Sequence, residues 1–222
     1  MSQSNKILMV VTSHSSIDED HPTGIWLSEF AEPYNLFVQA GYTIDVASVQ
    51  GGKAPIDPRS LSANKEEWKE AVERLNETLL VRELDGIDEY AALFLPGGHG
   101  TMFDLPDDEH LQRLIAEFAE SGRVVAAVCH GPAALVNITL KNGEPYVKGK
   151  RLTSFTDDEE RAAKFDTLMP FLLESRLREL GAEFIHAPLW ENHVEVDGTL
   201  VTGQNPQSSE AAAQKVLELL KG

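Results

Sequence analysis

Continuous apolar, β-branched runs punctuate the chain at residues 7–11, 43–49, 91–95 and 124–128. Most do not alternate with polar residues, which is the pattern of strands buried on both faces within a parallel sheet. Between the runs, apolar positions recur every three or four residues. Trp26, Phe30, Tyr34, Phe37 and Val38 predict a helix over residues 25–40, with Gly41 placed to end it. Leu111, Leu114, Ile115 and Phe118 do the same for residues 108–121, closed by Gly122. Residues 168–180 and 208–220 repeat the pattern and run into Gly181 and Gly222. Residues 51–59, with two glycines and two prolines, read as a loop before an amphipathic helix over about 65–80. Residues 192–201 alternate around Asp197-Gly198, the signature of a hairpin with a tight turn. Alternation of strand and helix predicts an α/β fold: a doubly wound, mostly parallel sheet sandwiched by helices, with residues 1–222 forming one domain.

Composition narrows the function classes. The formal net charge of −17 argues against nucleic acid or an anionic membrane as partner, since either calls for a basic patch. Apolar content of 42% and charged content of 25% are those of an ordinary globular chain. A single cysteine excludes an intramolecular disulfide framework and fits a reducing compartment. No apolar run is long enough to span a bilayer, and the N-terminal run is too short for a signal peptide, so a cytoplasmic location is expected.

That cysteine sits where chemistry is expected. Val124 to Val128 read as a buried strand, and Gly131-Pro132 opens a helical turn, with proline suited to its first position. Cys129 therefore occupies a strand-to-helix elbow, the thiol analogue of the G-x-S-x-G turn, at the sheet end where open α/β folds bind ligands. A helix N-terminus there would favour thiolate, and its backbone N–H groups would hold an oxyanion. The competing reading is a small buried hydrophobe. The Cys-His-Gly-Pro context favours the nucleophile.

Two further features converge on the elbow. The turn Pro96-Gly97-Gly98-His99-Gly100 follows a predicted strand, and its bare backbone can approach an anionic oxygen closely. It lacks the Gly-Lys-Ser/Thr of a phosphate loop. Glu29 lies among Trp26, Leu27 and Phe30 on the first helix, where a carboxylate must be paired, protonated or turned to solvent. His14, His21 and His186 are scattered, so no metal site is expected, and the cysteine elbow is read as working without a cofactor.

Together Glu29, Pro96 to Gly100 and Ala127-Val128-Cys129-His130-Gly131-Pro132 resemble the DJ-1/ThiJ/PfpI superfamily, with its flavodoxin-like, class I glutamine amidotransferase-like fold. Residues 99–104, His-Gly-Thr-Met-Phe-Asp, and 200–209, Leu-Val-Thr-Gly-Gln-Asn-Pro-Gln-Ser-Ser, are most similar to its Hsp31-like branch. The resemblance implies Cys129 as nucleophile and His130 as its acid–base neighbour. It implies an orienting acid after Thr153-Ser154-Phe155, with Glu160 fitting the spacing and Glu159, Asp157 and Asp158 as neighbours. It also implies Glu29 against the thiol and an oxyanion hole of Gly98 and the His130 N–H, within the turn that also holds Gly97. His99 would contact substrate or edge the turn, and Trp190 would line the site or pack at the surface. The implied activity is glutathione-independent glyoxalase chemistry, methylglyoxal to lactate, by a homodimer. Protein deglycation, peptidase or amidase hydrolysis, a stress chaperone and a redox sensor are the rival activities. Glutamine amide transfer would need a histidine and glutamate such as His193-Val194-Glu195, but that pair falls in the predicted hairpin.

Overall fold

The computed structural model describes residues 4–63 and 65–222. Among the described residues nine strands and seven α-helices follow in order: β1 (Lys6–Val11), α1 (Leu27–Gln39), β2 (Thr43–Ser48), α2 (Lys69–Arg74), β3 (Leu79–Leu80) and β4 (Tyr90–Leu95). Then come α3 (Thr101–Asp104), α4 (Glu109–Glu120), β5 (Val124–Val128), β6 (Arg151–Leu152), α5 (Asp157–Ala163) and α6 (Leu173–Glu179). The chain closes with β7 (Glu183–Phe184), β8 (Val194–Asp197), β9 (Leu200–Gly203) and α7 (Ser209–Lys221). Seven strands form one sheet in the order β3-β2-β1-β4-β5-β9-β8, and β6 pairs with β7 apart from it. Within the large sheet only β8 runs antiparallel to its neighbour.

The continuous apolar runs are explained by burial on both faces. Leu8, Val10, Leu93, Leu95, Val125 and Ala127 pack with Leu111, Ile115 and Phe118 of α4. Their alternate neighbours Ile7, Met9, Val11, Phe94, Ala126 and Val128 pack with Phe30 and Phe37 of α1 and Val216 of α7. Each fully buried side chain of this size contributes roughly 1.5–3 kcal/mol. Winding outward from β1 to β3 and returning to β4 leaves a crevice at the carboxyl ends of β1 and β4, where such sheets bind ligands.

The expected α/β architecture is present, and three local expectations change. The helix expected over 65–80 ends at Arg74, because Thr78 is drawn away by hydrogen bonds to Ser48 Oγ (2.7 Å) and the Gly52 carbonyl (2.8 Å). Leu79 and Leu80 then pair with β2. The helix expected over 168–180 begins only at Leu173, since Pro170 disfavours helical geometry at the residue before it. The elbow leads into a five-residue 3₁₀ turn, Gly131–Leu135, not an α-helix. The hairpin forms as expected from β8 and β9, with Gly198 at φ 60°. Among the described residues no helix is long and apolar enough to cross a membrane.

Candidate active site

Cys129 follows β5 with φ 57°, a left-handed conformation that costs a residue with a Cβ about 1–3 kcal/mol. The neighbouring strand holds it there: the Cys129 N–H donates to the Gly203 carbonyl (2.9 Å), and its own carbonyl accepts from Phe155 N–H (2.9 Å). This turn brings Sγ to 3.3 Å from Nδ1 of His130, the next residue. His130 Nε2 lies 2.6 Å from Oε2 of Glu160 on α5. Cys129 is 3% and His130 1% exposed, so the three groups interact with little water between them.

The two adjacent glutamates of α5 have separate tasks. Thr156 caps the helix and Glu159 closes the capping box, with Oε2 accepting from the Thr156 N–H (3.0 Å). Glu159 Oε1 accepts from Trp190 N–H, Gln204 Nε2 and Asn205 Nδ2 at 2.9–3.1 Å, tying α5 to the loop before β8. One residue on, Glu160 faces the histidines. Burial alone would raise its pKa, but the proximity of His130 and hydrogen bonds from His130 and His99 outweigh burial and hold it below the ordinary carboxylate range.

Glu29 reaches the site from the first turns of α1 and is fully buried. Its Oε2 accepts from Gly97 N–H at 2.8 Å, while Oε1 has no full hydrogen bond and the thiol is the carboxyl's other polar neighbour. Burial raises Glu29 to about 8 against the opposing contacts of Cys129 and Gly97, so it carries a proton at neutral pH. Burial, followed by the proximity of Glu29, also pushes the Cys129 thiol well above its ordinary value. The acidifying helix dipole expected from the sequence is missing here, because a single 3₁₀ turn supplies no aligned macrodipole. The thiol must therefore hand its proton to a base.

The glycine turn packs against these groups. Gly98 has φ +107°, and a Cβ there would lie 2.2 Å from the Gly24 carbonyl oxygen. A Cβ on Gly97 would meet Glu29 Oε2 at 2.6 Å and the His130 nitrogen at 2.7 Å. Among the described residues, neither the Gly98 nor the His130 backbone N–H donates to a protein acceptor. Both are free to bind an oxyanion.

His99, expected to contact substrate or edge the turn, has both ring nitrogens engaged. Nε2 lies 2.6 Å from Glu160 Oε1, and Nδ1 3.1 Å from the NH2 group of Arg59. Burial, then the neighbouring His130, lowers its pKa to about 4, so its ring is neutral. His99, His130 and Glu160 each place a potential ligand atom within 4.8 Å of the others, a spacing suited to a cation. A guanidinium only donates, however, so Arg59 leaves the His99 proton on Nε2, the atom that a metal would need.

Arg59, Phe155 and Phe165 escape the sequence reading. Phe155 lies 4.5 Å (ring centroids) from His130, and Phe165 4.8 Å from His99. Arg59 stacks over Phe165 at 4.4 Å. The only signal was Asp57 two residues before Arg59, in a segment read simply as loop. Trp190 is 41% exposed and reaches the site through Phe155, 5.5 Å away, so it sits at the rim. His193 and Glu195 pair with one another at 3.1 Å, Glu195 also takes Arg151 (3.0 Å), and no described hydrogen bond links them to Cys129. His14 stacks on Phe103, and His21 pairs with Asp18, so the scattered histidines stay apart.

The glutathione-independent glyoxalase HSP31 of Saccharomyces cerevisiae is 33% identical over 97% of this chain and 98% of its own. Glyoxalase III of Candida albicans superposes with TM-score 0.89 at 32% identity, covering 96% of both chains. The Rapid Encystment Protein 24 kDa of Francisella tularensis superposes with TM-score 0.92 at 33% identity, over 97% of this chain and 98% of that one. The pattern of the DJ-1/PfpI family matches residues 23–219. With that match spanning the elbow, the glycine turn and the α1 glutamate, the chain belongs to the DJ-1/PfpI family.

Proposed function

We propose that the protein is a glutathione-independent glyoxalase that converts methylglyoxal and related 2-oxoaldehydes to 2-hydroxy acids. The observation that carries this reading is the line Cys129 Sγ, His130 Nδ1, His130 Nε2, Glu160 Oε2, with steps of 3.3 and 2.6 Å. Full-length similarity to proteins named as glyoxalases supports the substrate class.

Sγ adds to the aldehyde carbon while His130 takes the thiol proton. The former aldehyde oxygen becomes an alkoxide within reach of the Gly98 and His130 N–H groups. The hydrogen on that carbon then leaves as a proton and is delivered to the neighbouring ketone carbon, whose oxygen gains a proton. Glu29 and His130 are the groups placed to exchange these protons. The first carbon is oxidised by as much as the second is reduced, so no external oxidant or thiol is consumed. Water cleaves the resulting thioester, releasing the hydroxy acid and restoring the thiol.

Burial favours this reading over hydrolysis of peptides or of glycated side chains. With Cys129 3% exposed, a three-carbon aldehyde reaches Sγ more readily than a main chain does. Free methylglyoxal and a peptide carrying its adduct, assayed side by side, test the choice. Lactate should form at least about tenfold faster from the free aldehyde, a difference of roughly 1.4 kcal/mol in activation free energy. Faster turnover of the peptide would overturn the proposal.

A further inference from the structure

Arg59 lies outside the Cys129–His130–Glu160 line, yet it fixes a proton within it. Its Nε and NH2 groups clamp the buried Asp57 carboxylate at 2.9 and 2.5 Å. Asp57 is itself held by Thr23 Oγ1 (2.9 Å) and by the Arg59 N–H (2.9 Å). The same NH2 group reaches His99 Nδ1 at 3.1 Å. Every guanidinium hydrogen is a donor, so Nδ1 must present its lone pair and the ring proton must sit on Nε2. That Nε2–H points at Glu160 Oε1, 2.6 Å away. The second carboxylate oxygen faces His130 Nε2 at the same distance. A carboxylate that accepts at both oxygens is an acceptor only. His130 is therefore also the Nε2–H tautomer, and its Nδ1 lone pair faces the thiol.

We infer that Arg59 and His99 are positioning residues for the nucleophile: Arg59 holds His99 as an Nε2–H donor, and His99 holds Glu160 as the carboxylate that orients His130. The inference deepens the glyoxalase reading, because the site it completes is the one that reading uses. His99 thus acts through Glu160 rather than by touching substrate. The cluster is enclosed. Cys129 and His130 come from the elbow, Glu160 and Glu159 from α5, Glu29 from α1, His99 from the glycine turn, and Asp57 and Arg59 from the loop before α2. If His99 loses its N–H, Glu160 loses one of two hydrogen bonds that favour its charged form and takes up a proton more readily. A protonated Glu160 donates to His130 Nε2 and drives the imidazole proton to Nδ1, where it blocks transfer from the thiol.

The chain's single cysteine permits a test without any aldehyde, so the outcome is separable from failure of the glyoxalase reading. In ¹⁵N-histidine-labelled wild type at pH 7, His99 and His130 should both show the Nε2–H tautomer, with Arg59→Met releasing His99 to a mixture. The pH profile of Cys129 alkylation by iodoacetamide supplies the second readout. His99→Leu should move its acid limb to higher pH by about one pH unit and slow alkylation at pH 6 about tenfold. His99→Gln, which keeps an N–H donor, should restore the wild-type limb. A wild-type His99 protonated at Nδ1 overturns the inference. So does an unmoved acid limb in a His99→Leu protein whose circular dichroism shows it folded.

Discussion

Cys129 and His130 are consecutive in the chain, yet Sγ and Nδ1 meet at 3.3 Å because Cys129 adopts φ 57°. In an extended strand, successive side chains point to opposite faces and could not meet. The strained turn thus converts sequence adjacency into a thiol–imidazole contact, held by hydrogen bonds to Gly203 and Phe155. His130→Ala should lower kcat/KM about 10²–10⁴-fold, the usual worth of a positioned general base. Steady-state kinetics on protein whose fold is checked by circular dichroism measures it. A loss below tenfold contradicts the assigned base.

Glu29 ties stability to pH. Its folded pKa of about 8 stands above the ordinary carboxyl value of 4.5. Below 4.5 both folded and unfolded chains hold the proton. Between 4.5 and 8 the folded chain holds it more tightly, so this group's stabilising contribution is lost as pH rises through that window. Glu29→Gln removes the titration. Its stability relative to wild type should rise from pH 5 to pH 8 and then level off, by roughly 5 kcal/mol at most. Urea denaturation of both proteins across pH 5–9 checks this, and a constant difference would contradict the buried, protonated assignment.

Gly98→Ala tests the fit of the glycine turn. Positive φ alone costs about 1–3 kcal/mol, and contact with the Gly24 carbonyl adds to it. The same shift would move the Gly98 N–H away from the place proposed for the oxyanion. Urea midpoint and kcat should fall together. Unchanged kcat in the folded variant would remove Gly98 from the oxyanion site.

Asp108 makes no hydrogen bond to Cys129, His130, Glu160 or Glu29 and serves as a control. Its side chain caps α4 by accepting from Leu111 N–H at 2.7 Å. Asp108→Ala should cost about 1 kcal/mol in urea denaturation and leave kcat/KM unchanged.

The sheet was legible because a strand buried on both faces writes itself as an unbroken apolar run, as in Val124 to Val128. The elbow was legible from local chemistry, a buried strand meeting Cys-His-Gly-Pro. What stayed hidden was decided by long-range contact. Motif spacing pointed to Glu160, but residue chemistry did not tell it from Glu159; the difference is made by which face of α5 meets His130 and which meets Trp190, Gln204 and Asn205. Arg59 is a loop arginine until folding sets it beside His99, forty residues on. The extent of α2 was misread for the same reason, since Thr78 bonds to Ser48 and Gly52 rather than extending a helix.

We expect Cys129 to turn a 2-oxoaldehyde into a hydroxy acid without help from glutathione. Lactate formed per methylglyoxal consumed, in thiol-free buffer, should be measured for wild type and Cys129→Ser in parallel. Wild type should form one lactate per methylglyoxal, and the serine variant only the uncatalysed background. Lactate formed equally by both proteins, or by neither while both are folded, would contradict it.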